Sequence, residues 1–127
     1  MGDEDLRFAA RRAAAFTADW PDDTLIVRGG TDGIQQLQRR RMTHPAYPPG
    51  TMVGWSVQSR PGRSMWELAA PLPHHRIRVT SLGQLRAAGG ALARTPGGYE
   101  HCTVTGIDAV TFDAILSAPR TRMSRVR

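Results

Sequence analysis

"ALARTPGGYEHCTVTG", residues 91–106, reads as two short strands joined by a Pro-Gly-Gly turn, a β-hairpin near the C-terminal end of the chain. Strand alternation sorts its second half. His101, Thr103 and Thr105 share one face, while Glu100, Cys102 and Val104 share the other. Cys102 and Val104 form the expected core face, so the thiol reads as a small buried hydrophobe. A nucleophilic cysteine would need exposure and an electropositive setting. The opposite face then carries a lone imidazole among hydroxyls. Such a group on a rigid strand is either solvated surface or a titratable side chain aimed into a cleft.

The segments around the hairpin set the fold class. Before it, "SLGQLRAAGG" (81–90) predicts a two-turn helix stopped by Gly89-Gly90, and "RIRVT" (76–80) alternates as a half-exposed strand, Ile77 and Val79 inward, Arg76 and Arg78 outward. Ser64 and Glu67 have the spacing of a capping box, which predicts a short helix over Met65 to Ala70. "TMVGWSVQS" (51–59) and "TLIVRGG" (24–30) predict two more strands. Between them, Thr31 or Asp32 is expected to cap a helix carrying Ile34, Leu37 and Met42, with Arg39–Arg41 at its C-terminal end. "THPAYPPG" (43–50) is a proline-rich loop.

Residues 3–20 show helical spacing of Leu6, Ala9, Ala13, Phe16 and Trp20 before Pro21-Asp22-Asp23 ends the run. After the hairpin, Asp108 or Thr111 caps a last helix with Val110, Phe112, Ile115 and Leu116. The order is α-β-α-β-α-β-α-β-β-α, a single α+β domain over 1–117 with a mixed or antiparallel sheet and flanking helices. Residues 118–127 carry four arginines and little apolar content, and are expected to be a flexible basic tail. The expected core is Leu25, Val27, Val53, Ile77, Val79, Leu82, Leu85, Val104, Phe112 and Ile115.

Composition bounds the function. At 127 residues the chain is one domain, able to bury a real core. No apolar run approaches the roughly 20 residues of a membrane span, and the acidic MGDEDLRF start does not read as a targeting signal. A single cysteine excludes an internal disulfide and fits a reducing cytosol. The net charge is +6 and invites a nucleic-acid partner. All 17 basic residues are arginine, and lysine and asparagine are absent, so part of that charge reflects GC-rich codon usage. The absence of lysine excludes a Schiff-base lysine, a lysine general base and a P-loop. Any catalytic base is therefore His, Asp, Glu, Tyr or the thiol.

His44, His74-His75 and His101-Cys102 supply metal-ligand types without the paired spacings of a zinc site, and no metal is expected. Ser56 and His101 could make a nucleophile and base, but no nucleophile elbow surrounds the serine. "LIVRGGTDG" places Gly29 and Gly30 after a strand and before a helix, as a phosphate-binding turn would, without the full GxGxxG spacing. Three strand-borne features remain: Arg28, Ser56 and Glu100-His101.

Those three, in this order, resemble the ADP-ribosyltransferase-like toxins, and more closely the small toxic type VI secretion effectors of that fold. The pieces that match are "LIVRGG", "GWSV" and "HCTV". The resemblance implies an ADP-ribosyltransferase-like sheet and NAD as the cofactor or substrate. It places Arg28, with Gly29, on a pyrophosphate or ribose oxygen and Ser56 on the nicotinamide ribose. Glu100 or His101 is then the catalytic group beside Ser56. It also implies a cognate antitoxin or immunity protein and action in a cytosol, that of the producing cell or of a target cell. The usual acid motif of such transferases has Gln or Glu two positions before the catalytic Glu; Gly98 stands there in this chain.

The segment 82–104 followed by a helix is also similar to the helix–strand–strand of HicA-type RNA interferases. That likeness asks for His101 as general acid/base and for Arg86, Arg94 and the tail on phosphates. A third reading is a non-catalytic binding module whose arginine faces dock an acidic partner or nucleic acid.

Overall fold

The computed structural model describes residues 2–122. In chain order the elements are α1 (Asp3–Ala15), β1 (Leu25–Gly29), α2 (Ile34–Arg40), β2 (Met42–Thr43), β3 (Val53–Ser59), α3 (Met65–Ala69), β4 (Arg76–Ser81), α4 (Leu82–Ala87), β5 (Ala91–Arg94), β6 (His101–Thr105), α5 (Ala109–Ile115) and β7 (Arg120–Thr121). The strands form one sheet, β5-β6-β3-β1-β4-β7, with β2 added to β3. Every pairing is antiparallel, so the domain is α+β with an open antiparallel sheet.

Both faces of the sheet are packed, and differently. On one face Ile26, Trp55, Val57, Cys102, Val104 and Leu92 meet Leu37 of α2, Leu82 and Leu85 of α4, and Phe112 and Leu116 at α5. Trp55 anchors this core: its ring lies 4.8 Å from that of Phe112, and its Nε1 donates to the Leu37 carbonyl at 2.8 Å. The other face is covered only at its two ends. Ala10 and Ala13 of α1 pack with Met52 and Ala93, while Leu68 and Ala69 of α3 pack with Val27 and Ile77. Among the described residues, no helix covers the middle of that face, between α1 and α3.

Two expected caps form as read. Ser64 accepts from the Glu67 N–H while the Glu67 carboxylate accepts from the Ser64 N–H, and Asp108 Oδ1 accepts from Thr111 N–H at 2.8 Å. Of the expected core, Val27, Ile77, Leu82, Leu85, Val104 and Phe112 are buried, while Leu25, Val53, Val79 and Ile115 are half-buried.

Other expectations are corrected. α1 stops at Ala15, leaving Phe16 largely exposed and Trp20 in the connection to β1. Neither Thr31 nor Asp32 caps α2; Gly33 holds that position, its N–H donating to Gln36 Oε1 at 3.2 Å. Arg78 is buried rather than outward. Its guanidinium lies against α5, donating to Asp113 Oδ1 at 2.7 Å and to the carbonyls of Asp32 and Ser117. The part of the expected tail that is described is not free chain: Arg120 and Thr121 pair with β4, and Arg122 donates to the Ala69 and Leu72 carbonyls. Residues 123–127 of that tail lie outside the described residues.

Candidate functional site

The site follows from how β3 is paired. Along one edge, β6 bonds to it from Gly54 to Gln58 without a break. Along the other edge β2 takes only Val53 and Gly54, and β1 takes only Gln58 and Ser59. Among the described residues, the backbone from Trp55 to Val57 therefore has no strand partner on that side, where β1 and β2 part. Unpaired carbonyls must find donors elsewhere. Arg28, near the end of β1, supplies one: its guanidinium donates to the Ser56 carbonyl at 2.9 Å and to Asp32 Oδ2 at 3.0 Å. Asp32 also faces Arg40 Nε at 3.5 Å, so one carboxylate is shared by two guanidiniums. Burial pulls the Arg28 pKa below the ordinary arginine value, and the Asp32 contact offsets part of that. Its buried Nε has no partner among the described residues.

At this split lies a cleft of about 240 Å³ that brings together Arg28, Gly29, Arg40, Ser56, Gln58, His74 and His101. Three residues singled out from separate strands, Arg28, Ser56 and His101, thus line one space. Cross-strand register brings Ser56 and His101 together: Gln58 stands opposite His101 and Ser56 opposite Thr103, on the face between α1 and α3. Arg28 instead shares the Ile26 face and reaches the cleft through the split to the Ser56 carbonyl. The Ser56 side chain is exposed, and its hydroxyl makes no hydrogen bond among the described residues. The His74 ring packs directly over Gly29, at the position a Cβ would occupy.

His101 is held from behind. Its Nδ1 lies 2.9 Å from Thr95 Oγ1 and 3.3 Å from the Thr95 carbonyl, and Thr95 Oγ1 is 3.0 Å from Thr103 Oγ1. The carbonyl can only accept, so with Nδ1 protonated the Nε2 lone pair is left for the cleft. Gly97 lets the turn close on this ring, since a Cβ there would come within 2.6 Å of it. Burial is the main cause holding the His101 pKa below its ordinary value; the Thr95 carbonyl offsets part of it, and the Arg94 charge pushes the same way as burial. His44 stacks at 5.7 Å from the His101 ring. Both of its nitrogens are in use: Nδ1 accepts from the Ala46 N–H at 3.1 Å and Nε2 meets the Pro96 carbonyl at 3.0 Å. His44 is therefore a brace, whereas His101, fixed through Nδ1, and the exposed His74 both line the cleft.

The structure does not bring Glu100 to this cleft. Strand β6 begins at His101, and Glu100 belongs to the preceding turn, its N–H donating to Gln58 Oε1 at 3.1 Å. The carboxylate turns to Arg60 at 3.4 Å and borders a separate groove with Arg63 and Tyr99. Cys102 is fully buried on the core face, and burial pushes its thiol up to about 12, which keeps it protonated and inert at neutral pH. Arg86 and Arg94 are both spent on backbone carbonyls. Arg86 binds those of Thr17, Ala18 and Trp20 beside the Asp22 carboxylate, and Arg94 binds those of Tyr99 and His101.

Sequence reasoning did not select Gln58, Arg40, Asp32 or His74 for the site. Gln58 was within reach, because period-2 alternation puts it on the face of Ser56. The other three come from loops and helix ends whose positions no periodicity encodes. A larger groove of about 460 Å³ lies along α1, but it is lined by alanines with Phe16, Arg12 and Arg94 and gathers no comparable polar set. Among the described residues no group of three His, Cys, Asp or Glu side chains is placed to hold a metal, and no helix is long and apolar enough to cross a membrane.

Comparison with protein-family models, with curated proteins and with solved structures finds no match to this chain.

Proposed function

We propose that this chain is a small toxin enzyme of ADP-ribosyltransferase-like fold, acting on NAD in a cytosol and neutralised by a cognate antitoxin or immunity protein. The observation that carries this reading is the convergence of Arg28, Ser56 and His101, from β1, β3 and β6, on the one cleft at the split in the sheet. The charge of the cleft suits the ligand. Arg28 and Arg40 carry two positive charges against the single carboxylate of Asp32, and the surplus matches a pyrophosphate. Arg28 keeps unused N–H donors for a phosphate or ribose oxygen, and the Ser56 hydroxyl is open to a ribose hydroxyl.

The chemistry rests on His101. Held neutral by burial and positioned through Nδ1, it takes a proton from water or from an acceptor group as the nicotinamide–ribose bond breaks. The Asp32 carboxylate is held between Arg28 and Arg40, and the guanidiniums supply the electrostatic complement on the phosphate side. Incubating the purified chain with NAD is expected to release nicotinamide, and Arg28→Ala to reduce that release with NAD KM raised. Release of no nicotinamide, together with cleavage of RNA in the absence of NAD, would overturn this reading in favour of the ribonuclease one. The internal use of Arg86 and Arg94 already removes two of the phosphate contacts that the ribonuclease reading requires.

A further inference from the structure

The run Arg39-Arg40-Arg41-Met42 ends α2 and enters β2, and its side chains separate. Arg41 turns back over the Trp55 ring at 5.9 Å from its centroid. Arg39, Arg40 and Met42 instead border a second bay of about 430 Å³, with His44, Pro45 and Thr103 further along its wall. This bay meets the first cleft at Arg28, Arg40 and Ser56, which line both. Two features of it have no role in the fold. Met42 is 66% exposed, an apolar side chain held in water at the mouth of a basic bay. Arg39 makes no ion pair among the described residues, and Arg40 spends only its Nε on Asp32. No carboxylate lines the bay among the described residues.

We infer that this bay is a binding site for single-stranded nucleic acid, which makes a nucleic acid the macromolecular target presented to His101. A phosphate meets Arg39, with Arg40 at the junction shared with the first cleft, and a base lies against Met42 and Pro45. Guanidiniums on one wall and apolar surface on the other are what an unpaired nucleotide offers partners for: a charged backbone and a flat face. At about 430 Å³ the bay is of nucleotide size, and His44 and Pro45 of the 43–52 loop stand in its wall. An acidic protein would satisfy the arginines but would leave Met42 and Pro45 without a flat partner. The inference extends the reading above by naming its target, and its test does not involve NAD.

The test is fluorescence anisotropy of the full chain with labelled single-stranded RNA and DNA oligonucleotides, a duplex of the same sequence, and poly-glutamate, across a salt series. Binding to single strands is expected, with each lost phosphate contact flattening the salt slope by about 0.7. Arg39→Ala is expected to weaken binding about threefold or more and to flatten the slope by that one contact. Met42→Ala is expected to weaken binding with the slope unchanged, the mark of a lost apolar contact. Arg12→Ala, an exposed arginine on α1, serves as the control and leaves binding unchanged. The RNA and DNA arms decide which backbone is preferred. Equal binding of poly-glutamate with the same Arg39 dependence, preference for the duplex, or binding that falls with Arg12→Ala but not with Arg39→Ala would each overturn the inference. A chain that binds single strands in this manner yet releases no nicotinamide keeps this site and loses the NAD reading.

Discussion

Strands β3 and β6 carry two chemistries on one ladder. Trp55, Val57, Cys102 and Val104 point to one face and are sealed beneath α2, α4 and α5. Ser56, Gln58, His101 and Thr103, the residues between them, point to the other face, where α1 and α3 stand apart. The backbone is shared, so the two sets cannot be displaced relative to one another. Burial does opposite work on each. On the first face it removes apolar area from water, and on the second it holds one imidazole neutral at the edge of an open cleft. The contrast teaches that the rigidity of the site is supplied from behind, by a core that takes no part in the chemistry.

That division can be broken most sharply at His101. His101→Ala is expected to lower nicotinamide release by roughly 10²–10⁴-fold, the range for loss of a general acid or base, with little change in the thermal midpoint. A large fall in stability with activity retained would make the open face structural. The converse experiment is Trp55→Ala. It removes the largest buried ring and leaves the Leu37 carbonyl without its donor, so a loss of about 3–5 kcal/mol is expected in denaturant titration. Cys102→Ala sits directly between the two residues of interest in sequence and on the far face in space. It should cost about 1–2 kcal/mol of stability and leave activity intact, whereas lost activity would show that the thiol reacts.

The smallest effect is a pH dependence. His101 has a folded-state pKa below its ordinary value of 6.5, so the unfolded chain binds its proton more readily than the folded one. Its contribution to stability is fully present above 6.5 and is lost as pH falls from there through the folded-state value. His101→Gln should flatten the stability profile over that window relative to the parent chain. An unchanged profile would mean that the ring is not desolvated, and the cleft not as closed behind it as the Thr95 and Gly97 contacts make it.

The hairpin shows how much of the site is legible in sequence. Alternation separates His101 and Thr103 from Cys102 and Val104, and the structure keeps that separation. Alternation fails at Glu100 because the strand starts one residue later, and a residue in a turn is not bound to either face. It fails again at Arg78. Reading "RIRVT" as half-exposed assumes one wet face; Arg76 is exposed as that requires, but further along β4 lies against α5, so Arg78 on the same face is buried. Arg78 can be there because five carbonyl and carboxylate contacts satisfy it. Nothing in a five-residue alternation announces those partners.

What the sequence by itself determined is local: the five longer strands and most of their facing residues, the caps at Ser64 and Asp108, a buried thiol, and a base set restricted by the absence of lysine. These follow from period, turn chemistry and composition, which act over a few residues. Only the tertiary structure decided that β1 and β2 part along the edge of β3, that Arg28 fills the gap, and that Arg40, Asp32 and His74 close around it. Those outcomes depend on strand register and on which helix covers which end of a face. Both are set by packing between segments tens of residues apart, a balance of burial against unpaired backbone that no single stretch of the chain contains.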